Sequence, residues 1–396
     1  LILGLAFLAS FVGLLFIFDA GYARSIQTSG STIPTEFRTQ IMLLVVSVVG
    51  YGIASHIPLQ TYRRLTMPFW ILTLVALLAV DFIGHEQNEA KRWIAIGPVS
   101  VQPSEFAKLT LILFLAAVFA KREKWQPKPA KNLATWLDRN LSTKLKRIAP
   151  FVLVLVGVLL VEIGKDLGTA AVLMAIALVM CVAGGVSWKT MGFGLVLISL
   201  GVGGLLLKQP YRMERITSHY VRWDPKVVDD VGFQTTQSER GQAEGHWLGQ
   251  GLADGQVKQI IPAPTTDFIM ATIGEETGLV GSTVVIGLLA LICGRLLVLA
   301  QRATDRFGAL ILIGASGWIG IQTCTNVMMA NATLPAIGIP IPFISSGGSS
   351  LMAIWLTMGV CQSALVGMRQ ESTEPEASRA NRSNRRRHWW TRLSGA

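Results

Sequence analysis

The sequence predicts an all-α integral membrane protein of ten transmembrane helices, with both termini cytoplasmic and one large extracytoplasmic loop between helices 7 and 8. Three observations carry this. Hydrophobic residues make up 51% of the chain and charged residues 15%, where soluble domains carry about 25% charge, and mean hydropathy is +0.49. Apolar runs recur near the length of about 20 residues that a spanning helix needs. Lys and Arg are shared unequally between alternate connections.

The first run is 1–18. A start at Leu1 rather than Met points to a trimmed chain, and no small-residue cleavage site follows Phe18, so the run reads as a spanning helix and not a cleaved signal. Runs 39–57 and 68–84 flank Arg63 and Arg64. The fourth, 104–120, opens behind Pro103, whose missing N–H costs nothing in a first turn. The fifth and sixth, 148–163 and 168–186, meet at a tight turn, and the seventh is 190–207. The polar stretch 208–266 follows; at roughly sixty residues it exceeds ordinary connections, and such loops are usually functional. Runs 267–294, 307–326 and 349–368 complete the set.

With the N-terminus inside, Lys and Arg number 22 in the cytoplasmic segments, against five in the short outer loops (Arg24, Arg38, Lys91, Arg92 and Lys165). That is the positive-inside pattern, and it fixes the orientation. It also accounts for the net charge of +11 without nucleic acid as a partner. Residues 1–368 then form one polytopic domain, with a basic cytoplasmic loop at 121–147 lying along the membrane surface. Residues 369–396 form a basic, polar, disordered tail. Its Arg385-Arg386-Arg387 run suits anionic membrane lipids, with docking to a cytoplasmic partner as the alternative. No internal repeat supports an inverted-repeat transporter. Cys181, Cys293, Cys324 and Cys361 all fall within apolar spans without a CxxC partner, and read as small core residues rather than disulfide or metal ligands.

Four polar groups interrupt the outer side. Lys91-Arg92-Trp93 precedes Gln102-Pro103-Ser104-Glu105, and Glu105 shares a helix face with Lys108. That pair is a structural salt bridge, a polar wall of a substrate cavity, or both. Asp166 fits the cap of the sixth helix and is a weaker catalytic candidate. In the long loop, Arg212, Arg215 and Lys258 are either solvated surface or a phosphate clamp, with Gln234 between them. Asn326 precedes Pro340-Ile341-Pro342-Phe343-Ile344-Ser345-Ser346-Gly347-Gly348-Ser349, which breaks the helix at membrane depth. Irregular backbone there is tolerated only where it is buried in protein or lines a wet cavity. The N–H groups near Ser349 suit an anion. Asp267, at the mouth of the eighth run, is a functional candidate because a charge entering lipid is costly.

Together these groups resemble the SEDS family of cell-wall synthases (FtsW, RodA and SpoVE). The blocks are KRWIAIGPVSVQPSEFAKL (91–109), KDLGTA (165–170), YRMERI (211–216), GFQTTQS (232–238), TTDFIMATIGEETGLVG (265–281) and IPIPFISSGGSS (339–350). The first block and the basic tail are closer to the FtsW than to the RodA branch. Four positions depart from the family pattern: Thr265 stands for a usual His, Lys165 for Pro, Ser346 for Tyr and Ala253 for Gly.

The resemblance implies a peptidoglycan glycosyltransferase of the bacterial inner membrane, acting on its outer face in cell division or cell shape. It would polymerise lipid II with inversion and release undecaprenyl diphosphate. Asp267 corresponds to the family's essential acid. Arg92, Trp93, Gln102, Ser104, Glu105, Lys108, Arg212, Arg215, Gln234, Lys258, Asn326, Ser345 and Ser349 are the expected substrate contacts, and Asp166, Glu275 and Glu276 are supporting carboxylates. A divalent cation (Mg2+ or Mn2+) at the diphosphate and a class B penicillin-binding protein as partner complete the expectation. The alternative is a lipid II flippase, with Glu105, Lys108 and Asp267 along its path. The clustering of polar blocks on one side argues against it.

Overall fold

A computed structural model describes residues 1–87, 90–96, 99–121, 149–164, 166–187, 190–192, 194, 217–225, 227–230 and 232–373. Its helices are α1 (Ile2–Ser29), α2 (Thr35–His56), α3 (Leu59–Ile83), α4 (Pro103–Ala120), α5 (Ala149–Ile163), α6 (Leu167–Ala183), α7 (Phe233–Glu244), α8 (Val257–Ile260), α9 (Ile269–Gln301), α10 (Arg306–Ala330) and α11 (Gly348–Thr373). Seven of them, α1–α4 and α9–α11, are long and apolar enough to cross a membrane, and α5 and α6 are shorter apolar helices. The chain is therefore a multi-pass, essentially helical membrane protein. Run 190–207 lies almost wholly outside the described residues, as do most of 121–147 and the tail from 374.

Sequence chemistry sets the helix ends. Gly30 closes α1 in the left-handed conformation and returns its N–H to Ile26. Pro34 and Pro58 stand immediately before α2 and α3. Asp305 caps α10 through the Gly308 N–H and also pairs with Arg63 at 2.7 Å, which fastens α3 to α10. α9 is two helices joined at a kink at Gly278, and it runs to Gln301, past the expected end at 294.

Two further expectations need correction. The first span extends to Ser29, which places Asp19 within a helix. The long polar stretch contains α7 and α8 rather than continuous loop. Its helix α7 escapes a hydrophobicity reading because its buried face is Thr235, Thr236, Ser238 and Gly241. Between α3 and α4 lies a small antiparallel meander, β1 (His85–Gln87), β2 (Ala90–Ile96) and β3 (Val99–Val101), with β2 central. Its strands are too short for a period-two pattern to stand out.

The centre of the bundle is α4 and α10, each 67% buried over its apolar window, whereas α2 is 22% buried and turns apolar side chains outward. Trp70 stacks on Phe114 at 5.7 Å to join α3 to α4. Cys181 and Cys361 are buried and Cys293 is half-buried. Cys324 is exposed, so the expectation that all four cysteines are core residues fails there; it lies on an outward face of α10.

Candidate active site

Asp267 sits half-buried in the turn that enters α9. Main-chain groups around it are tied to the irregular segment between α10 and α11. The amide nitrogen of Asn326 donates to the carbonyl of Asp267 at 2.8 Å and to that of Ile339 at 2.6 Å. Ser345 Oγ donates to the Thr266 carbonyl at 2.7 Å and accepts the Ile341 N–H at 2.8 Å. The Ser346 N–H donates to the Thr265 carbonyl at 2.8 Å. Below the turn, Phe268 packs with Val257, Ile261 and Ala271. The irregular backbone is thus buried in protein, with Ile339, Ile341, Phe343 and Ile344 in the core.

Gly338 faces the acid. Its φ is +70°, and a Cβ there would stand 3.2 Å from Oδ2 of Asp267. Glycine takes that conformation without steric cost and leaves the space beside the carboxylate open. The segment before Gly338 is braced in turn by α6, where a Cβ on Gly168 would lie 2.5 Å from the Ile337 carbonyl. Asp166 starts that helix by accepting the Thr169 N–H at 3.1 Å, as a cap.

Several expected substrate contacts are turned inward. Asn326 is fully buried, and its donors, like the Ser345 hydroxyl, are spent on the backbone around Asp267. Gln102 donates to Asp166 Oδ2 at 2.9 Å and Ser104 to the same oxygen at 3.3 Å. Ser349 Oγ accepts the Gln102 N–H at 2.9 Å and donates to the Ser100 carbonyl at 3.4 Å. These residues join the start of α4 to the starts of α6 and α11. Arg92 borders a crevice of about 20 Å³ with Asp81, Ser104 and Asp166, room for no more than about one water. Trp93 is half-buried in β2.

The charged pairs are also structural. Lys108 meets Glu105 at 2.6 Å, both are buried, and the ammonium lies 5.5 Å from the centre of the Trp318 ring. Lys258 is 4% exposed and pairs with Asp19 at 2.7 Å and with Glu276. Its ammonium protons are directed at carboxylates in a buried triad. Glu275 accepts the Gln256 and Val257 N–H groups at 2.8 and 3.0 Å, so α9 caps the short helix α8. Burial pulls the Lys258 pKa down, but hydrogen bonds and charge from Asp19 and Glu276 outweigh it and leave it above the ordinary lysine value. Arg212 and Arg215 lie outside the described residues. Gln234 is in the first turn of α7, half-buried.

Residues 1–370 match the Cell cycle protein family, FTSW_RODA_SPOVE. The chain belongs to this family. Among its relatives, the probable peptidoglycan glycosyltransferase FtsW of Geobacter sp. (strain M18) is 31% identical, over 84% of this chain and 87% of its own. Stage V sporulation protein E of Bacillus subtilis (strain 168) is 30% identical, over 82% and 85%. A solved chain from a peptidoglycan synthase complex that coordinates polymerization and crosslinking is 26% identical with a TM-score of 0.71, covering 94% of this chain and 98% of that one. The rod shape determining protein RodA of Thermus thermophilus shares the fold, with a TM-score of 0.65 over 93% and 96% at 23% identity. The protein is thus a membrane-embedded member of the cell-wall and cell-division family that contains FtsW and RodA.

Within the family frame, two of the four departures meet in space: Thr265 and Ser346 are joined by their main chains. Ala253, where the family has glycine, holds φ at +70°, a conformation that disfavours a Cβ. Lys165 lies outside the described residues. Asp19, Gln40 and Gly338 belong to the scaffold of the site without having stood out in the sequence, whereas Gly168 lies in the block 165–170. Gln40 is a polar residue inside an apolar run, the one available signal, and it donates to the Ser345 carbonyl at 3.2 Å.

Proposed function

We propose that this chain is an inverting peptidoglycan glycosyltransferase that polymerises lipid II into β-1,4 glycan strands, with Asp267 as its general base. The observation that carries the reading is the positioning of Asp267: a half-buried carboxylate on a turn held by Asn326 and Ser345, with glycine opposite. Family membership supports the reaction class, and the FtsW-like branch rests on the first block, 91–109, and the basic tail.

In this mechanism a carboxylate oxygen of Asp267 takes the proton from the 4-hydroxyl of the acceptor sugar. The acceptor's 4-oxygen, freed of its proton, attacks the anomeric carbon of the donor as the bond to phosphate breaks, and undecaprenyl diphosphate leaves with the electron pair. Hydrolases of sugars need a second carboxyl group as acid because an alkoxide leaves poorly. Diphosphate leaves well, so one base suffices. General-base assistance contributes about 10²–10⁴ in rate, and positioning supplies a further share. No group of three or more metal-ligating His, Cys, Asp or Glu side chains forms among the described residues. A divalent cation would be shared with the substrate's phosphates, as Mg2+ is in many such sites.

The positive-inside pattern supports an Asp267 on the outer face of the bacterial inner membrane, where lipid II is consumed. A class B penicillin-binding protein is the expected partner, a pairing in keeping with the solved relative from a synthase complex. The flippase reading gains nothing from Glu105 and Lys108, since both are sealed in the bundle. The test is labelled lipid II given to the purified full chain in proteoliposomes, with and without the transpeptidase. Wild type is expected to make polymer and Asp267→Ala to lose at least about a hundredfold in rate. Polymer from the variant at the wild-type rate would remove the assignment, and translocation without polymer would favour the flippase.

A further inference from the structure

The kink in α9 is filled by another part of the chain. Gly278 breaks the helix at φ +65° and ψ −163°, which frees main-chain groups on either side of it. Residues 246–251, between α7 and α8, supply their partners. The Gln250 and Gly251 N–H groups donate to the Glu275 and Glu276 carbonyls at 2.9 and 3.2 Å. The Leu279 and Val280 N–H groups donate to the His246 and Trp247 carbonyls at 3.0 and 3.1 Å. A Cβ on Gly278 would stand 2.6 Å from the Trp247 carbonyl oxygen, so the two backbones meet this closely only through glycine. The loop is fastened to the spanning helix by its own main chain. Its apolar side chains are left facing outward: Trp247 is 70% exposed and Leu248 79%.

Two helices mark the depth of this loop. No Asp, Glu, Lys or Arg occurs between Glu276 and Arg295 of α9, nor in α1 before Asp19. The α9 stretch is about 27 Å long at the helical rise, close to the hydrocarbon thickness of about 30 Å. Asp19 and Glu276 meet at Lys258, so both helices leave the apolar layer at one level, that of the triad. Leu279 and Val280, which hold the loop, stand about one turn to the apolar side of Glu276. Both are exposed, as is Val284, and they form the outward face of a helix apolar enough to cross a membrane. Trp247 and Leu248 continue that face. Glu244, His246 and Gln250 are exposed beside them. An indole and an aliphatic side chain with polar neighbours suit the headgroup level, where Trp is enriched, rather than the hydrocarbon centre.

We propose that residues 246–251 form a lipid anchor, with Trp247 and Leu248 seated in the headgroup–acyl boundary of the leaflet on the membrane face that carries Asp267. An exposed apolar patch can equally mark a protein contact. Lipid is the occupant here because the patch is continuous with the outward face of α9 and lies at the depth where the charge-free stretches of α1 and α9 end. The anchor requires no particular reaction at Asp267.

The experiment places a nitroxide on Leu248→Cys in the full chain in lipid nanodiscs, with Cys293→Ala and Cys324→Ala removing the two native thiols that are not buried. Its collisions are measured with dissolved oxygen, which concentrates in lipid, and with a water-soluble nickel chelate. The label is expected to favour oxygen, as the same label on Val284→Cys does, at a depth of about 5–10 Å. A label on Asp254→Cys, at an exposed polar position, is expected to favour the chelate. Preference for the chelate at position 248 overturns the anchor. Protection from both probes overturns it too, and assigns the patch to a protein contact. Trp247→Phe gives a second reading without new cysteines. The emission present in wild type and absent from this variant is expected to be lost when the nanodiscs are made of lipid brominated near the headgroup. Its persistence in brominated lipid overturns the anchor.

Discussion

Asn326 holds Asp267 by its main chain: the side-chain amide donates to the carbonyl of the acid at 2.8 Å and to that of Ile339 at 2.6 Å. One fully buried side chain on α10 therefore sets the spacing between the turn bearing the carboxylate and the segment opposite. The acid's position depends on a residue 59 positions further along the chain.

Replacing Asn326 with Ala strands two carbonyls, each costing about 1–3 kcal/mol if left unpaired. The turn is expected to relax, and small misplacements at a reacting centre cost up to about 10²-fold in rate. Polymerisation of lipid II by Asn326→Ala should show a fall in kcat with KM nearly unchanged. A rise in KM alone would mean that Asn326 touches substrate instead.

Gly338→Ala should harm activity more than stability. The residue must keep φ at +70°, which costs an L-residue about 1–2 kcal/mol. Its methyl group would press on Oδ2 of Asp267 from 3.2 Å. Because both effects bear on the carboxylate, the double variant with Asp267→Ala should lose no more activity than Asp267→Ala alone. Additive losses in that cycle would place the effect of Gly338 elsewhere.

The triad of Asp19, Lys258 and Glu276 predicts a large effect on stability. Lys258→Met leaves two carboxylates facing each other, and breaking a buried pair costs about 3–5 kcal/mol. Asp19 keeps 18% of its side-chain surface exposed, so a value near the lower bound is expected. The pH dependence has a definite sign. A lysine whose folded pKa lies above its ordinary value of 10.5 contributes stability that is fully present below that value and lost as pH rises through the folded pKa. Thermal melting of wild type should therefore hold past pH 10.5 and then drop, while Lys258→Met lacks that step.

Helix positions were legible because apolar runs of spanning length leave few alternatives, and local spacing gave the Asp166 cap and the pairing of Glu105 with Lys108. What the polar residues buried in the structure do was not legible. Asn326, Ser345 and Lys258 look alike in sequence whether they hold a ligand or a distant group of the chain, and each has a partner far away, at 59, 79 and 239 residues respectively. Helix α7 was hidden for a different reason. It docks by polar contacts, with Ser238 Oγ and the Gln242 amide both donating to the Ala330 carbonyl at 2.6 and 2.5 Å, and so presents no apolar stripe.

The turn between α5 and α6 allows its two readings to be separated. Asn is as good an N-cap as Asp, so Asp166→Asn should keep α6 intact, with thermal melting close to wild type. It should also keep most of the activity if Asp166 serves only as a cap and as the acceptor for Gln102 and Ser104. Gly168→Ala acts by another route. Its methyl group would meet the Ile337 carbonyl at 2.5 Å, and backbone must move to relieve it, at a cost of about 1–3 kcal/mol. The strand of chain that moves leads directly to Gly338, so polymer synthesis should fall in Gly168→Ala even where the protein remains folded. Should Asp166→Asn instead abolish polymer synthesis while melting normally, the carboxylate itself takes part in the chemistry and the cap is its secondary role.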